Sequence, residues 1–257
     1  RRDLHGDLPV PRHPALARMV AARINSLAKP IKWFSIPTLF RGENVQRGRL
    51  REFYQWNVDV IGSADAVADA ECILVGVEAL RELGLTTADF AVHISSRKLM
   101  AALLACAGIA SESHARAFAL LDRAGKLPGE EIARRWEEAF GGHVSYEAVD
   151  VMLRSTELAV VARGWTGRPV SPNLTDAIGE LEGLFTNIAN FGITEFCKLD
   201  LRVVRGLAYY TGPVFEFYDR SEKERAICGG GRYDDLLGKL GKTREPAVGF
   251  GMGDVVL

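Results

Sequence analysis

A two-residue alternation between Arg49 and Val60 constrains the fold of this 257-residue chain more than any other feature. The odd positions of this stretch are mostly polar: Arg49, Arg51, Phe53, Gln55, Asn57 and Asp59. The even positions are largely apolar: Leu50, Glu52, Tyr54, Trp56, Val58 and Val60. Successive side chains of a strand point to opposite faces of a sheet. The pattern therefore predicts a strand over 49–61 whose largely apolar face can pack on a core.

Strand-like segments occur in pairs rather than in regular alternation with helices. Residues 31–41 form a first segment, and turn residues over 42–48 join it to the strand over 49–61. Further strands are predicted over 91–94, 199–218, 225–228 and 247–256, with an interruption at 229–231. This arrangement predicts an α+β fold, an antiparallel β-sheet flanked by helices, rather than a doubly wound parallel sheet.

Apolar residues at three- and four-residue spacing predict helices over 16–27, 65–83 and 173–190. Gly84 is expected to end the second helix, and Asn173 to cap the third. Residues 97–165 are Ala-rich, charged and helical in pattern, as in an inserted helical subdomain. The predicted organisation is a first core part (1–96), a helical insertion (97–170) and a second core part (171–257).

Composition excludes several classes of protein. The formal net charge of −1 argues against a chain that binds nucleic acid by bulk charge alone. The four cysteines form no CxxC pair, so a zinc site or a disulfide scaffold is not expected, and a reducing cytoplasm fits best. No apolar run of about eighteen residues is present, so no membrane-spanning helix is expected.

Three polar side chains in mid-strand, Gln55, Asn57 and Asp59, cost free energy unless they form hydrogen bonds. They indicate either a solvated sheet face or the floor of a polar ligand site, and taken alone they do not decide between the two. Four arginines lie beside them: Arg41, Arg47, Arg49 and Arg51. Guanidinium groups suit phosphate oxygens, so these arginines favour an anionic ligand over a charged hairpin tip. Glu43 is a candidate acceptor for an amino group.

Two later stretches carry further candidates. Arg205 lies in an apolar segment, where it must pair with an anion or reach water, and Tyr209 and Tyr210 follow it. Core packing is the ordinary use of such tyrosines. The glycines at 229–231 allow close backbone approach to a ligand, which by itself is weak evidence.

In this order, the stretches resemble histidyl-tRNA synthetases, a class II aminoacyl-tRNA synthetase family. Residues 40–62 fill the pattern FRxExxQxGRxREFxQxxxDxxG, and RGLAYYTGPVFEF is similar to the family's histidine-binding signature. GGGRYDDLLGKLG is similar to its glycine-rich strand and the helix that follows, and PAVGFGMG to the start of its third motif. The resemblance extends from Leu16 onward and includes the helical insertion.

The resemblance implies a histidine–tRNA ligase, which activates L-histidine with ATP and Mg²⁺ and transfers it to tRNA(His). The implied catalytic residues are Arg41 and Arg205, and the implied ATP contacts are Arg41, Glu43, Arg49 and Arg205. The implied histidine contacts are Gln55, Asp59, Tyr209, Tyr210, Tyr233 and Gly231, and the implied contacts with the tRNA acceptor end are Gln46 and Arg51. A homodimer in the cytoplasm is expected, without a tightly bound cofactor, a metal held by protein alone or a membrane.

The chain departs from the family pattern at three places. Residues 10–18 (VPRHPALAR) lack the family's Pro-Glu-x-Thr loop, position 208 is Ala instead of Asp, and 253–256 lack an Arg. A non-catalytic regulatory subunit, like that of ATP phosphoribosyltransferase in histidine biosynthesis, is the alternative interpretation. A synthetase for another amino acid is a third and weaker one. The motif arginines, Arg41, Arg49, Arg51 and Arg205, favour the enzyme.

Overall fold

The computed structural model describes residues 13–40, 42, 48, 50–124, 127–141, 144–162, 171–204, 210–221, 225–240 and 244–257. The strands are β1 (Ile31–Ser35), β2 (Thr38–Phe40), β3 (Glu52–Ile61), β4 (Phe90–Ser96), β5 (Cys197–Leu199), β6 (Pro213–Asp219), β7 (Cys228–Arg232) and β8 (Ala247–Gly253). The helices are α1 (His13–Ala21), α2 (Ala66–Glu82), α3 (Arg97–Cys106), α4 (His114–Ala124), α5 (Gly129–Phe140), α6 (Tyr146–Leu153), α7 (Leu158–Ala162), α8 (Pro172–Asn190) and α9 (Leu236–Leu240).

The strands form one eight-stranded sheet in the order β1-β3-β8-β7-β6-β4-β5, with β2 paired to β3. Within the described part of the chain the pairs are antiparallel, apart from the parallel pair of β4 with β5. The predicted sheet flanked by helices is confirmed, and the parallel pair makes it a mixed sheet. No helix among these described residues is long and apolar enough to cross a membrane.

The largely apolar face of β3 packs on the core, as predicted: Val60 is buried, and Trp56 and Val58 are partly buried against it. Tyr54, on the same face, is 56% exposed. Gln55, Asn57 and Asp59 on the opposite face are buried too, so they do not form a solvated sheet face. The polar side chains face the paired residues Gly253, Gly251 and Gly249 of β8, which carry no side chains of their own. They therefore lie close against the neighbouring strand and become buried there.

The helix α2 has the bounds that local signals predict. The Asp65 side chain accepts a hydrogen bond from the Val67 amide at 3.0 Å, and Gly84 has φ +88° after the last turn. The N-terminus of α8 differs from the prediction, because Ser171 caps it instead of Asn173. The Ser171 hydroxyl accepts from the Leu174 amide at 3.2 Å, and Pro172 fills the first helical position.

The predicted interruption at 229–231 is wrong, since these glycines form the middle of β7. A Cβ at Gly230 would lie 2.4 Å from the Gly249 carbonyl oxygen, so close packing explains a glycine here. Three other predicted elements are shorter than expected. Within the described residues of the segment 199–218, only Leu199 (in β5) and the residues from Pro213 onward are in strands; the closing strand ends at Gly253, and the first helix ends at Ala21.

The core lies between the sheet and a layer of helices. Helix α8 packs against α2 and α3. The elements α3 to α7 follow one another between Arg97 and Ala162, and the described residues there contain no strand, in agreement with the predicted helical pattern. Trp136 is fully buried in α5 and its indole N–H donates to the Val144 carbonyl at 3.0 Å. The division at 96/97 and 170/171 stays a prediction.

Candidate active site

A strip of glycines crosses one face of the sheet. Gly249, Gly251 and Gly253 of β8 pair with Asp59, Asn57 and Gln55 of β3, and Gly231 and Gly229 of β7 continue the first two rows. Paired residues point to the same face, so these five glycines, called the glycine floor below, add no side chains to that face over two strands. Gly231 and Gly249 are buried, and the other three are partly exposed. Backbone without side chains permits a close approach by neighbouring groups or by a ligand.

Several of these glycines are required by their neighbours. A Cβ at Gly249 would lie 2.3 Å from Asp59 Oδ1, and a Cβ at Gly251 would lie 2.5 Å from Gln55 Nε2. At Gly231 a Cβ would lie 2.7 Å from the Pro213 carbonyl oxygen and 3.0 Å from Tyr210 Cδ1. The glycines therefore admit the polar side chains along one edge of the floor and Tyr210 above it.

The polar edge of the floor is a hydrogen-bonded network. Gln55 Nε2 donates to Asn57 Oδ1 at 2.6 Å, and Asn57 Nδ2 donates to the Gln55 carbonyl at 3.2 Å. The Tyr233 hydroxyl donates to Asp59 Oδ1 in a short hydrogen bond, and both residues are almost fully buried. These are two hydrogen-bonded pairs, and buried polar side chains held in this way have the fixed geometry that recognition of a polar ligand requires.

Tyr210 closes the same region from the β6 side. It is 8% exposed, and burial raises the pKa of its phenol well above the usual range, with further contributions from Glu216, Cys228 and Asp59. The phenol is therefore neutral at physiological pH and can donate a hydrogen bond. Tyr210, Tyr233 and Asp59 thus bring two phenols and one carboxylate together at one end of the floor.

Residues 13–253 match the model of the histidyl-tRNA synthetase family. The chain belongs to this family. It is 40% identical over 244 residues to the chloroplastic/mitochondrial histidine–tRNA ligase of Arabidopsis thaliana, covering 95% of this chain and 49% of that protein. It is also 40% identical over 246 residues to the histidine–tRNA ligase of Natronomonas pharaonis, covering 95% and 56%. The chain thus spans about half the length of these relatives.

Solved structures show the same architecture. The histidyl-tRNA synthetase of Nostoc sp. PCC 7120 aligns with a TM-score of 0.81 at 23% identity, over 96% of this chain and 57% of that one. A Bacillus halodurans protein described as an ATP phosphoribosyltransferase regulatory subunit/histidyl-tRNA synthetase aligns with a TM-score of 0.75 at 26% identity, over 93% and 60%. The class II synthetase fold predicted from the sequence is confirmed.

The structure brings together five of the residues that the synthetase motifs single out: Gln55, Asp59, Tyr210, Gly231 and Tyr233. Arg51 lies exposed beside the first residue of β3, at the end of the strand that carries Gln55 and Asp59. The other candidates lie outside the described residues: Arg41, Glu43, Gln46, Arg49, Arg205 and Tyr209.

A buried ion pair next to the site was missed by the sequence analysis. Arg232, the residue before Tyr233, is 3% exposed and its guanidinium donates to the carboxylate of Asp69 at 2.7–3.2 Å. Burial raises the pKa of Asp69 to about 6, although the charge and hydrogen bonds of Arg232 lower it. The sequence does contain a signal for this pair, because Asp69 lies beside the apolar stripe of α2. A buried Asp needs a partner, which here is Arg232.

A second polar cluster continues the floor beyond the glycines. Glu216 of β6 pairs with Gly229, and His93 of β4 pairs with Glu216. His93 Nδ1 lies 3.0 Å from Asp200 Oδ2, and Arg202 donates to the same carboxylate through Nε and Nη2 at 2.9 Å. The hydrogen bond between His93 and Asp200 ties the segment over 200–204 to β4.

Proposed function

We propose that this chain carries the catalytic sheet of a histidine–tRNA ligase. It activates L-histidine with ATP and Mg²⁺ to histidyl-adenylate and then transfers the histidyl group to the 3′ end of tRNA(His). The observation that carries the proposal is the buried strip of Gln55, Asn57 and Asp59 beside the glycine floor, with Asp59 hydrogen-bonded to Tyr233. The names of the relatives at 40% identity support the same activity.

The amino acid binds at the polar edge in this proposal. Gln55 and Asp59 accept from the α-amino group, while Tyr210 and Tyr233 contact the imidazole. Tyr233 donates its hydroxyl hydrogen to Asp59, and its oxygen can still accept a hydrogen bond from an imidazole N–H. A site built from buried hydrogen-bonding groups strongly rejects apolar amino acids, because they would leave these groups unpaired.

ATP occupies the glycine floor in this proposal. A carboxylate oxygen of histidine attacks the α-phosphorus, the bond to the bridging oxygen of the β-phosphate breaks, and pyrophosphate leaves with the electron pair. Arg41 and Arg205 stabilise the negative charge at the α-phosphate, and Arg49 holds the γ-phosphate. Glu43 accepts from the adenine amino group, and Gln46 and Arg51 contact the tRNA acceptor end.

A homodimer in the cytoplasm belongs to the same proposal. Large apolar side chains are exposed along β1, β2 and their connection, including Phe34 (73%), Ile36 (60%) and Phe40 (72%), as on surfaces that meet a partner. All four cysteines, Cys72, Cys106, Cys197 and Cys228, are free, as a reducing compartment requires.

A regulatory subunit without ligase activity is the second candidate. The description of the Bacillus halodurans structure favours it, and so does the absence of Glu and Thr at 10–18. Such a subunit would bind histidine without charging tRNA. Both candidates bind histidine, so the charging of tRNA is what separates them.

The test is aminoacylation of a tRNA(His) transcript with labelled histidine by the protein in its natural length, with calorimetry for histidine binding. The ligase proposal predicts both binding and charging, and loss of charging in Asp59→Asn. Histidine binding without charging would establish the regulatory candidate instead. Charging of a different tRNA with a different amino acid would overturn both.

A further inference from the structure

The buried ion pair between Arg232 and Asp69 connects three elements at the histidine end of the floor. The guanidinium donates to Asp69 of α2, and its Nη1 and Nη2 also donate to the carbonyls of Ser63 and Asp65 at 3.0 and 3.2 Å. These carbonyls belong to the link between β3 and α2. The side chain thus ties the end of β7 to both the strand that carries Asp59 and the helix that follows it.

The backbone of Arg232 makes a second connection, toward Tyr210. Its carbonyl accepts from the amide of Thr211 at 2.7 Å and from the Thr211 hydroxyl at 3.3 Å. The same hydroxyl accepts from the amide of Asp234 at 3.0 Å. Tyr210 directly precedes Thr211, and Tyr233 directly follows Arg232. Both tyrosines are therefore next to residues that these hydrogen bonds hold.

Tyr233 itself is fixed from both ends. Its amide donates to the Ala247 carbonyl at 2.7 Å, and its hydroxyl donates to Asp59. Asp234 Oδ1 accepts hydrogen bonds from the Ala247 amide at 3.1 Å and from Arg232 Nη1 at 3.3 Å. The position of the Tyr233 ring relative to Asp59 thus depends on how Arg232 holds the end of β7.

The site of Arg232 is built for a forked cation. A Cβ on Gly212 would lie 3.1 Å from Arg232 Cδ, so the stem of the side chain is tightly enclosed. Replacing a buried ion pair with apolar residues is often neutral or stabilising, so an ion pair with defined geometry is better explained by orientation than by stability. A lysine would keep the charge but lose the planar fork that reaches Asp69, Ser63 and Asp65.

We propose that Arg232, held by Asp69, is a positioning residue that sets Tyr233 against Asp59 for histidine binding. This inference rests on the proposed function, since it gives Arg232 a part in recognition of the amino acid. Arg232 does not touch the substrate and acts through Tyr233.

The experiment is a double-mutant cycle of Arg232→Lys and Tyr233→Phe in the protein of natural length. The KM for histidine and for ATP, kcat and the thermal midpoint are measured in pyrophosphate exchange and by calorimetry. Arg232→Lys is expected to raise the KM for histidine by about tenfold or more, as small misplacements do, while the KM for ATP changes by less than about twofold. Adding Tyr233→Phe to Arg232→Lys should then have little further effect, because both act through the same phenol.

A matched control separates positioning from general destabilisation. Leu121→Ala removes a buried side chain of α4 in the helical insertion and lowers the thermal midpoint, but should leave the KM for histidine unchanged. If Arg232→Lys likewise lowers only the midpoint, or if the two substitutions of the cycle are additive, the positioning role is wrong.

A second readout does not depend on the ligase activity. Hydrogen exchange of a peptide over 228–236 should accelerate in Arg232→Lys, while a peptide over 129–140, in α5, keeps its protection. Unchanged exchange over 228–236 would overturn the inference even in an active enzyme. Wild-type protein that neither binds nor activates histidine would refute the proposed function, and the exchange result would still test whether Arg232 fixes Tyr233.

Discussion

At the level of single residues, the candidate site depends on its glycines as much as on its polar side chains. Gly249 and Gly251 lie opposite Asp59 and Asn57, and a Cβ at either glycine would collide with a polar side chain of β3. The burial of the polar strip therefore depends on the glycines of the neighbouring strand. The polar face of β3 fits against β8 because β8 has glycine at alternate positions.

The substitution Gly251→Ala tests this dependence. The new methyl group would lie 2.5 Å from Gln55 Nε2 and should displace the amide from Asn57, which costs one buried hydrogen bond. We expect histidine affinity to fall by about 1–3 kcal/mol, as for an unpaired buried polar group. Calorimetry with histidine checks the value.

Gly253→Ala is the matched control, because the nearest atom to its added Cβ is the Tyr54 carbonyl oxygen at 4.0 Å. It adds the same methyl group to the same strand without displacing a side chain of β3. Equal loss of histidine affinity in the two variants would show that Gln55 does not depend on the glycine.

At the scale of elements, helix ends are set by single hydrogen bonds that can be tested one at a time. Ser171→Ala removes the hydroxyl that caps α8 and should lower the free energy of unfolding by about 1 kcal/mol. Asn173→Ala lies inside the first turn and should have a much smaller effect. Urea denaturation measures both, and a larger loss at Asn173 than at Ser171 would contradict the observed cap.

Local signals in the sequence predict some elements and fail at others for physical reasons. Asp65 and Gly84 define α2 because each acts on its own neighbours. Ser171 and Asn173 are both good caps two residues apart, so local preference does not choose between them. The glycines over 229–231 suggest a break, but contacts with β6 and β8 favour glycine within β7.

The candidate site shows the same limit. The motif residues Asp59, Tyr210 and Tyr233 lie close together in the fold, while their roles in binding histidine stay predictions. The pairing of Arg232 with Asp69 could not be predicted, since it joins residues 163 positions apart. The burial of the polar face of β3 likewise depends on which strand becomes its neighbour.

At the scale of the whole molecule, stability at low pH should depend on Asp200. Burial raises the pKa of this carboxyl, but hydrogen bonds from His93 and Arg202 outweigh burial and hold it well below its usual range. In the unfolded chain the carboxylate of Asp200 takes up its proton near pH 3.9, the usual value for Asp. In the folded chain it does so only at lower pH. The stabilisation is therefore fully present above about pH 4 and is lost as the pH falls further.

Asp200→Asn should lower the free energy of unfolding by about 1–3 kcal/mol at neutral pH, the value of hydrogen bonds to a charged group. The difference from wild type should shrink between about pH 4 and pH 2. Denaturation curves across this range measure it, with Glu112→Gln as an exposed carboxylate control. A constant difference at every pH would show that the charge of Asp200 does not stabilise the fold.

We propose that the glycine floor and its polar edge form a site where histidine reacts with ATP. Histidine-dependent exchange of pyrophosphate into ATP tests this most directly, with each of the other amino acids as a control. We expect exchange with histidine alone, and a large loss of exchange in Asp59→Asn. Exchange with a different amino acid, or no exchange from protein that is folded and supplied with histidine, would contradict it.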